Sequence, residues 1–198
     1  MPVIECDPEA ARGRLQSAGV QLSEGNTDHE RWRAEYGGAT AVAYDGKVVV
    51  QGSETARLAG LLSADGGGRV HAYFDGACRG NPGAGAVGWV LVTNDGIVAE
   101  GGETIGRVTN NQAEYEALLA ALQAAVDSGF DQIHLRGDSE LIVKQVRGEW
   151  NTNDPTLREY RVDVHELLAG VDDWTIDHVP REANERADEL ANEALDDA

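Results

Sequence analysis

Apolar and polar positions change their period several times along the chain, and each change marks an element. Residues 7–18 read as a helix, followed by short strands. In the run from Gly37 to Ser53 two β-rich stretches flank Tyr44-Asp45-Gly46-Lys47, and an Asp-Gly pair between such stretches predicts a tight hairpin turn. Residues 53–62 read as a helix that closes this first unit. The stretch 63–68 (Ser-Ala-Asp-Gly-Gly-Gly) is short, polar and glycine-rich, as a linker is. Beyond it, 69–75 alternate as a strand, and 88–93 and 97–103 are two strands around Asn94-Asp95-Gly96, a second hairpin turn. Ala113, Ala117, Leu118, Ala121, Leu122 and Ala125 then recur at helical spacing, with Thr109 or Asn110 as the cap and Gly129 at the far end. Strand 132–136, helix 139–147, a helix within 155–169, strand 174–179 and helix 184–195 complete the chain. This order predicts an α/β fold in which helices pack on a mixed sheet over 69–198, preceded by a small α/β unit over 1–62.

Composition adds a class. At 198 residues and 41% hydrophobic content the chain can fill one large or two small cores. No apolar run approaches the length of a membrane span. The N-terminus lacks the basic and apolar regions of a secretory signal, so a soluble cytoplasmic protein is expected. Cys6 and Cys78 make neither a disulfide framework nor a zinc pattern. Charge says more. Acidic residues number 35 against 16 basic, for a net charge of −19, and Lys47 and Lys144 are the only lysines. A surface of this kind repels itself at low salt and is relieved by screening, which points to the cytosol of a salt-accumulating cell.

Gly83-Ala84-Gly85-Ala86-Val87-Gly88 fits the glycine pattern of dinucleotide-binding proteins, but that pattern must open a helix, and the following Trp-Val-Leu-Val-Thr is strand-like. The glycines read instead as a tight turn that lets a backbone approach its partner. Four acidic residues have more specific settings. Asp75 ends an apolar strand before a Gly-rich turn. Glu114 falls in the first turns of an apolar-faced helix. Asp138 lies just past the carboxyl end of a strand, where open α/β sheets place ligands, and Asp188 is near the start of the last helix. Converging carboxylates bind hard divalent cations, and a pair of such ions can drive phosphodiester cleavage.

Residues 69–197 resemble type 1 ribonuclease H. The resemblance rests on Asp75-Gly76 with Asn81-Pro82-Gly83, on Thr109-Asn110-Asn111-Gln112-Ala113-Glu114, on Asp138-Ser139, and on Asn184-Glu185-Arg186-Ala187-Asp188, in the family's order. It implies an RNase H-like fold with a five-stranded mixed sheet, and endonucleolytic cutting of the RNA strand of RNA–DNA hybrids. It implies further that Asp75, Glu114, Asp138 and Asp188 hold two Mg²⁺ or Mn²⁺ ions, with Asp75 bridging them, and that products carry 5′-phosphate and 3′-hydroxyl ends. His178 matches the position of a family histidine that assists turnover, and reads also as a surface histidine at a strand end. Arg181, in Val179-Pro180-Arg181-Glu182, is similar to an arginine of archaeal members that takes that role.

For the substrate, the resemblance implies contacts from backbone groups around Cys78, Arg79, Gly80 and Asn81, from the side chains of Asn110, Asn111 and Gln112, and from Thr109 to a phosphate. Such contacts read the minor-groove 2′-hydroxyls and the DNA strand. Capping alone explains one of the Asn pair; Trp150 either stacks on a DNA sugar or closes the core. The basic helix-loop that some bacterial members use to grip the hybrid is absent from 147–173. The N-terminal unit resembles, over Ala43 to Gly52, small substrate-binding modules attached to some ribonucleases H; a stability appendage is the alternative. Double-stranded RNA is a further candidate substrate, a non-catalytic hybrid-binding protein is the competing function, and the chain is expected to act as a monomer.

Overall fold

The computed structural model describes residues 2–53, 55–62, 68–94 and 96–198. After strand β1 (Val3–Glu5), Asp7 starts helix α1 (Pro8–Ser17) by accepting the backbone N–H groups of Glu9 and Ala10. Pro8 occupies the first turn, where a missing N–H leaves no bond unmade. Strands β2 (Gln21–Glu24), β3 (Trp32–Tyr36), β4 (Ala39–Tyr44) and β5 (Lys47–Gly52) complete an antiparallel sheet in the order β1-β5-β4-β3-β2. Asp45-Gly46 forms the expected β4–β5 turn, with Gly46 at φ +74°, a value that a side chain would strain. The Trp32 indole is buried and donates to the Pro8 carbonyl at 2.9 Å, which holds α1 on the sheet. Helix α2 (Thr55–Leu62) closes the unit. Of the expected linker only Gly68 is described; residues 63–67 lie outside the described residues, as does Asp95 of the second hairpin turn.

The second sheet is larger. Strand β6 (Arg69–Gly80) does not stop at Asp75 but continues to Gly80, and turns at Asn81-Pro82 into β7 (Gly83–Thr93). The 83–88 glycines therefore lie inside a strand, not in a tight turn. Pairing with β6 and β8 fixes them in extended backbone, and the close approach expected of them is real. A Cβ on Gly88 would lie 2.1 Å from the Ala187 carbonyl oxygen of the last helix. Strand β8 (Gly96–Val108) completes the meander. Helix α3 (Asn110–Asp127), strand β9 (Gln132–Gly137), helices α4 (Glu140–Val146) and α5 (Pro155–Leu168), strand β10 (Asp173–His178) and helix α6 (Glu185–Asp196) follow in the predicted order. Strand β1 and a 3₁₀ turn over Arg181–Ala183 are elements the periodicity did not signal.

Strand order is β10-β9-β6-β7-β8, with β6, β9 and β10 parallel and the rest antiparallel, so the sheet is mixed. Helices α3 and α6 lie on its opposite faces: Gly76 of β6 abuts α3, whereas Gly88, paired with Asp75, abuts α6. One apolar cluster runs from Leu15, Leu58 and Leu62 through to Leu118, Leu122 and Ile133, so the N-terminal unit shares its core with the larger sheet. The Thr55 hydroxyl donates across the junction to the Val98 carbonyl at 3.2 Å. Among the described residues no helix is long and apolar enough to cross a membrane.

Candidate active site

Glycines decide which side chains meet. A Cβ on Gly76 would sit 2.2 Å from the Ala113 carbonyl carbon and 2.3 Å from the Glu114 nitrogen. Its absence lets the start of α3 press against β6, placing Glu114 beside Asp75. A Cβ on Gly137 would lie 2.4 Å from the Phe74 ring, so the end of β9 closes on β6 only because that position is bare. Asp138 follows immediately, between β9 and α4. Asp75, Glu114 and Asp138, from three separate elements, each offer a carboxylate oxygen within 4.8 Å of the others. Asp188 stands in the first turn of α6, brought to this edge by the contact at Gly88. It lies outside that tightest group, yet close enough for its charge to act on both Asp75 and Glu114.

These carboxylates are held in an unfavourable setting. Asp75 is 6% exposed. Burial first, then the charges of Asp138 and Asp188, push it up to about 7. Burial, then the charges of Asp75, Asp138 and Asp188, raise Glu114 well above the usual range, although the Gly76 N–H donates to it and favours the charged form. Part of Glu114 reaches solvent, but its Oε2 is sealed and has no hydrogen-bond partner. Among the described residues the cation that lowers Asp75 is Arg181, whose Nη2 lies 3.3 Å from Asp188 Oδ1. That guanidinium is 75% exposed, so its pairing is weak compensation. Clustered, oxygen-only, under-compensated donors with a bare buried oxygen fit hard divalent cations.

The remaining predicted residues divide into two groups. His178 Nε2 lies 3.1 Å from the Asp138 carbonyl oxygen, so both it and Arg181 border the carboxylates. At the start of α3, Thr109 and Gln112 form a reciprocal capping box. The Thr109 hydroxyl accepts the Gln112 backbone N–H at 3.3 Å, and the Gln112 side-chain Oε1 accepts the Thr109 backbone N–H at 2.8 Å. Capping therefore occupies Thr109 and Gln112, and leaves Asn110 and Asn111 as the exposed amides. Asn81 Oδ1 accepts the Asn110 N–H at 3.1 Å, which ties the β6–β7 turn to α3. The Cys78 thiol donates to the Val108 carbonyl at 3.0 Å, and the Arg79 guanidinium reaches the Leu195 carbonyl at 3.3 Å and pairs with Asp196. Gly80 takes φ +101° at the turn. Trp150 is 42% exposed beneath Lys144, whose ammonium lies 4.5 Å from the ring centroid; it does not close the core.

Sequence reasoning missed Asn184 as a site residue. It is 1% exposed, and its amide donates to the Phe74 carbonyl at 2.9 Å beside Asp75. It opens the motif that ends in Asp188, but nothing in the sequence distinguishes an inward-turned asparagine from a helix cap. Gly76 and Gly137 were likewise invisible as positioning elements, because the backbone or side chain each admits lies far away in sequence.

Known proteins are similar to this chain in sequence and fold. Residues 73–194 match the family described as reverse transcriptase-like. Over the full length of both chains the protein is 64% identical to ribonuclease HI of Halobacterium salinarum. The crystal structure of RNase H1 from that archaeon superposes with a TM-score of 0.65 at 73% identity, covering 66% of this chain and 100% of that one. The structure of LC11-RNase H1 in complex with an RNA/DNA hybrid superposes at 0.62 with 38% identity, over 65% of this chain and 97% of its own. With the fold, the carboxylate site and full-length similarity in agreement, this chain belongs to the ribonuclease HI family.

Proposed function

We propose that this chain is an endoribonuclease that hydrolyses the RNA strand of RNA–DNA hybrids at a site holding two divalent cations, Mg²⁺ or Mn²⁺, and leaves 5′-phosphate and 3′-hydroxyl ends. The observation that carries the reading is the meeting of Asp75, Glu114 and Asp138 within 4.8 Å, from three elements and with little positive charge to offset them. Bound there, such ions would supply Lewis acidity, lowering the pKa of the attacking water and offsetting charge on the leaving ribose oxygen. The protein's part is placement. Asp75, buried and facing both Asp138 and Asp188, would be the ligand shared by the two ions, as the family resemblance implies; Glu114, Asp138 and Asp188 would complete the set. His178, exposed and next to the Asp138 backbone, is placed to carry protons or to hasten product departure, and Arg181, paired with Asp188, is the alternative carrier of that role.

The hybrid lies across the start of α3 and the β6–β7 turn. Exposed Asn110 and Asn111, the backbone around Cys78 to Asn81, and the Gln112 amide nitrogen face the groove there, where 2′-hydroxyls identify the RNA strand. A structural relative bound to an RNA/DNA hybrid supports the substrate class. The catalytic unit spans 69–198, the N-terminal unit 1–62 assists it, and the protein acts as a monomer in the cytoplasm of a salt-accumulating cell. The test is cleavage of an end-labelled hybrid with Mg²⁺ or Mn²⁺ in molar KCl, with end-group analysis and a panel that includes double-stranded RNA. Asp75→Asn and Asp138→Asn should lose cleavage while remaining folded. Wild-type cleavage by Asp75→Asn would sink the two-metal assignment, and hybrid binding with no cutting by the wild-type protein would favour the non-catalytic reading.

A further inference from the structure

Asn184 occupies the position before α6 where asparagine ordinarily caps a helix, yet its side chain makes no capping bond. It turns inward instead. Its Nδ2 donates to the Phe74 carbonyl at 2.9 Å and reaches Asp75 Oδ1 at 3.5 Å. Both partners are acceptors, so the amide can point only one way; flipped, its oxygen would face a carbonyl and a carboxylate. The cost of that orientation is visible on the other side, where Asn184 Oδ1 is buried with no partner. Meanwhile the Asn184 carbonyl accepts the Asp188 N–H at 3.1 Å, and its own N–H donates to the Arg181 carbonyl at 2.9 Å. One residue thus touches the strand carrying Asp75, the turn carrying Arg181 and the helical turn carrying Asp188.

A residue serving only the fold would keep the cap and leave no amide oxygen unpaired. We infer that Asn184 is a positioning residue of the metal site: it holds the Asp75 carboxylate in place and couples it to Asp188. The inference rests on the metal-site reading above. A donor behind a ligating carboxylate fixes its orientation, and loss of such a partner weakens metal binding roughly 10–100-fold.

The test reads metal affinity directly, as free Mn²⁺ by electron paramagnetic resonance during titration of the full chain in molar KCl. Circular dichroism monitors folding, and kcat and KM for a hybrid are measured in parallel. Asn184→Ala should remain folded, bind Mn²⁺ about tenfold or more weakly, and lose kcat at fixed Mn²⁺ with KM for the hybrid nearly unchanged. Added Mn²⁺ should recover part of the kcat. Asn184→Ser keeps a small polar residue whose hydroxyl stops one bond short of Phe74; it should behave alike, and it decides the matter if the alanine variant does not fold. Variants that bind Mn²⁺ as tightly as wild type and show only a lower melting temperature would overturn the inference. Asp75→Asn runs alongside: if it too binds Mn²⁺ like wild type, the metal-site reading itself has failed, a result that does not depend on Asn184.

Discussion

Replacing Asp75 with asparagine should stabilise the metal-free protein, and the gain should grow with pH. In the folded state burial and the charges of Asp138 and Asp188 raise Asp75 from 3.8 to about 7. The folded chain therefore holds a proton that the unfolded chain releases above about pH 4. Between the two values the native state binds more protons, so stability falls as pH rises and the full penalty is present above about pH 7. A rise of about three pKa units corresponds to a ceiling of roughly 4 kcal/mol at about 1.4 kcal/mol per unit. The neutral amide of the variant would carry no such penalty, and loss of the carboxylate also relieves Glu114, which the Asp75 charge raises. Urea unfolding in EDTA and molar KCl, from about pH 4 to about pH 9, measures the difference. The two proteins should be close in stability at the acid end, and the variant ahead by as much as a few kcal/mol at the alkaline end. Mn²⁺ should shrink the gap, since a ligand at 100 times its Kd stabilises by about 2.7 kcal/mol and at 1,000 times by about 4.1 kcal/mol. A difference that does not change with pH, or one that favours wild type as pH rises without metal, would refute the reasoning.

Other outcomes follow from the same geometry. Gly76→Ala should push α3 off β6, because its Cβ would lie 2.2 Å from backbone; a loss of about 1–3 kcal/mol in unfolding experiments and a steep fall in cleavage are expected, and wild-type values for both would refute it. His178→Ala and Arg181→Ala should lower turnover while leaving metal-dependent cleavage measurable; if steady-state rates match wild type, both side chains are surface features. Folding and cleavage should both improve from low to molar KCl, because screening relieves a net charge of −19 and few lysines stand to lose phosphate contacts; circular dichroism and rates along one salt series check this, and a protein fully folded at low salt whose activity falls steadily with salt would contradict it.

The candidate site was legible to an unequal degree. Asp75, Glu114 and Asp138 could be singled out because each sits at a recognisable change of period, and the fold does bring them together. Arg79 shows the limit. The backbone around it was read for substrate contact, but no local pattern indicated that its guanidinium pairs with Asp196, over a hundred positions away in the chain. Gln112 was read among three recognition amides, whereas its carbonyl completes a capping box, a local bond that the Thr109–Gln112 spacing already allowed. The end of β6 was misplaced because an aspartate and glycines break the apolar alternation, while pairing with β7 on one side carries the strand on to Gly80.

Periodicity and turn chemistry, which act between near neighbours, determined the order of helices and strands, the Asp45-Gly46 hairpin and the start of α3, and so were readable without a structure. Charge composition, a sum over residues, was equally open to reading. Only the tertiary structure decided how tightly the carboxylates converge, how far burial lifts Asp75, and that Asn184 turns inward to serve it. Those outcomes depend on bare Cα positions at Gly76, Gly88 and Gly137 meeting atoms from distant segments. Close packing between remote parts of a chain leaves no periodic trace in the sequence of either part.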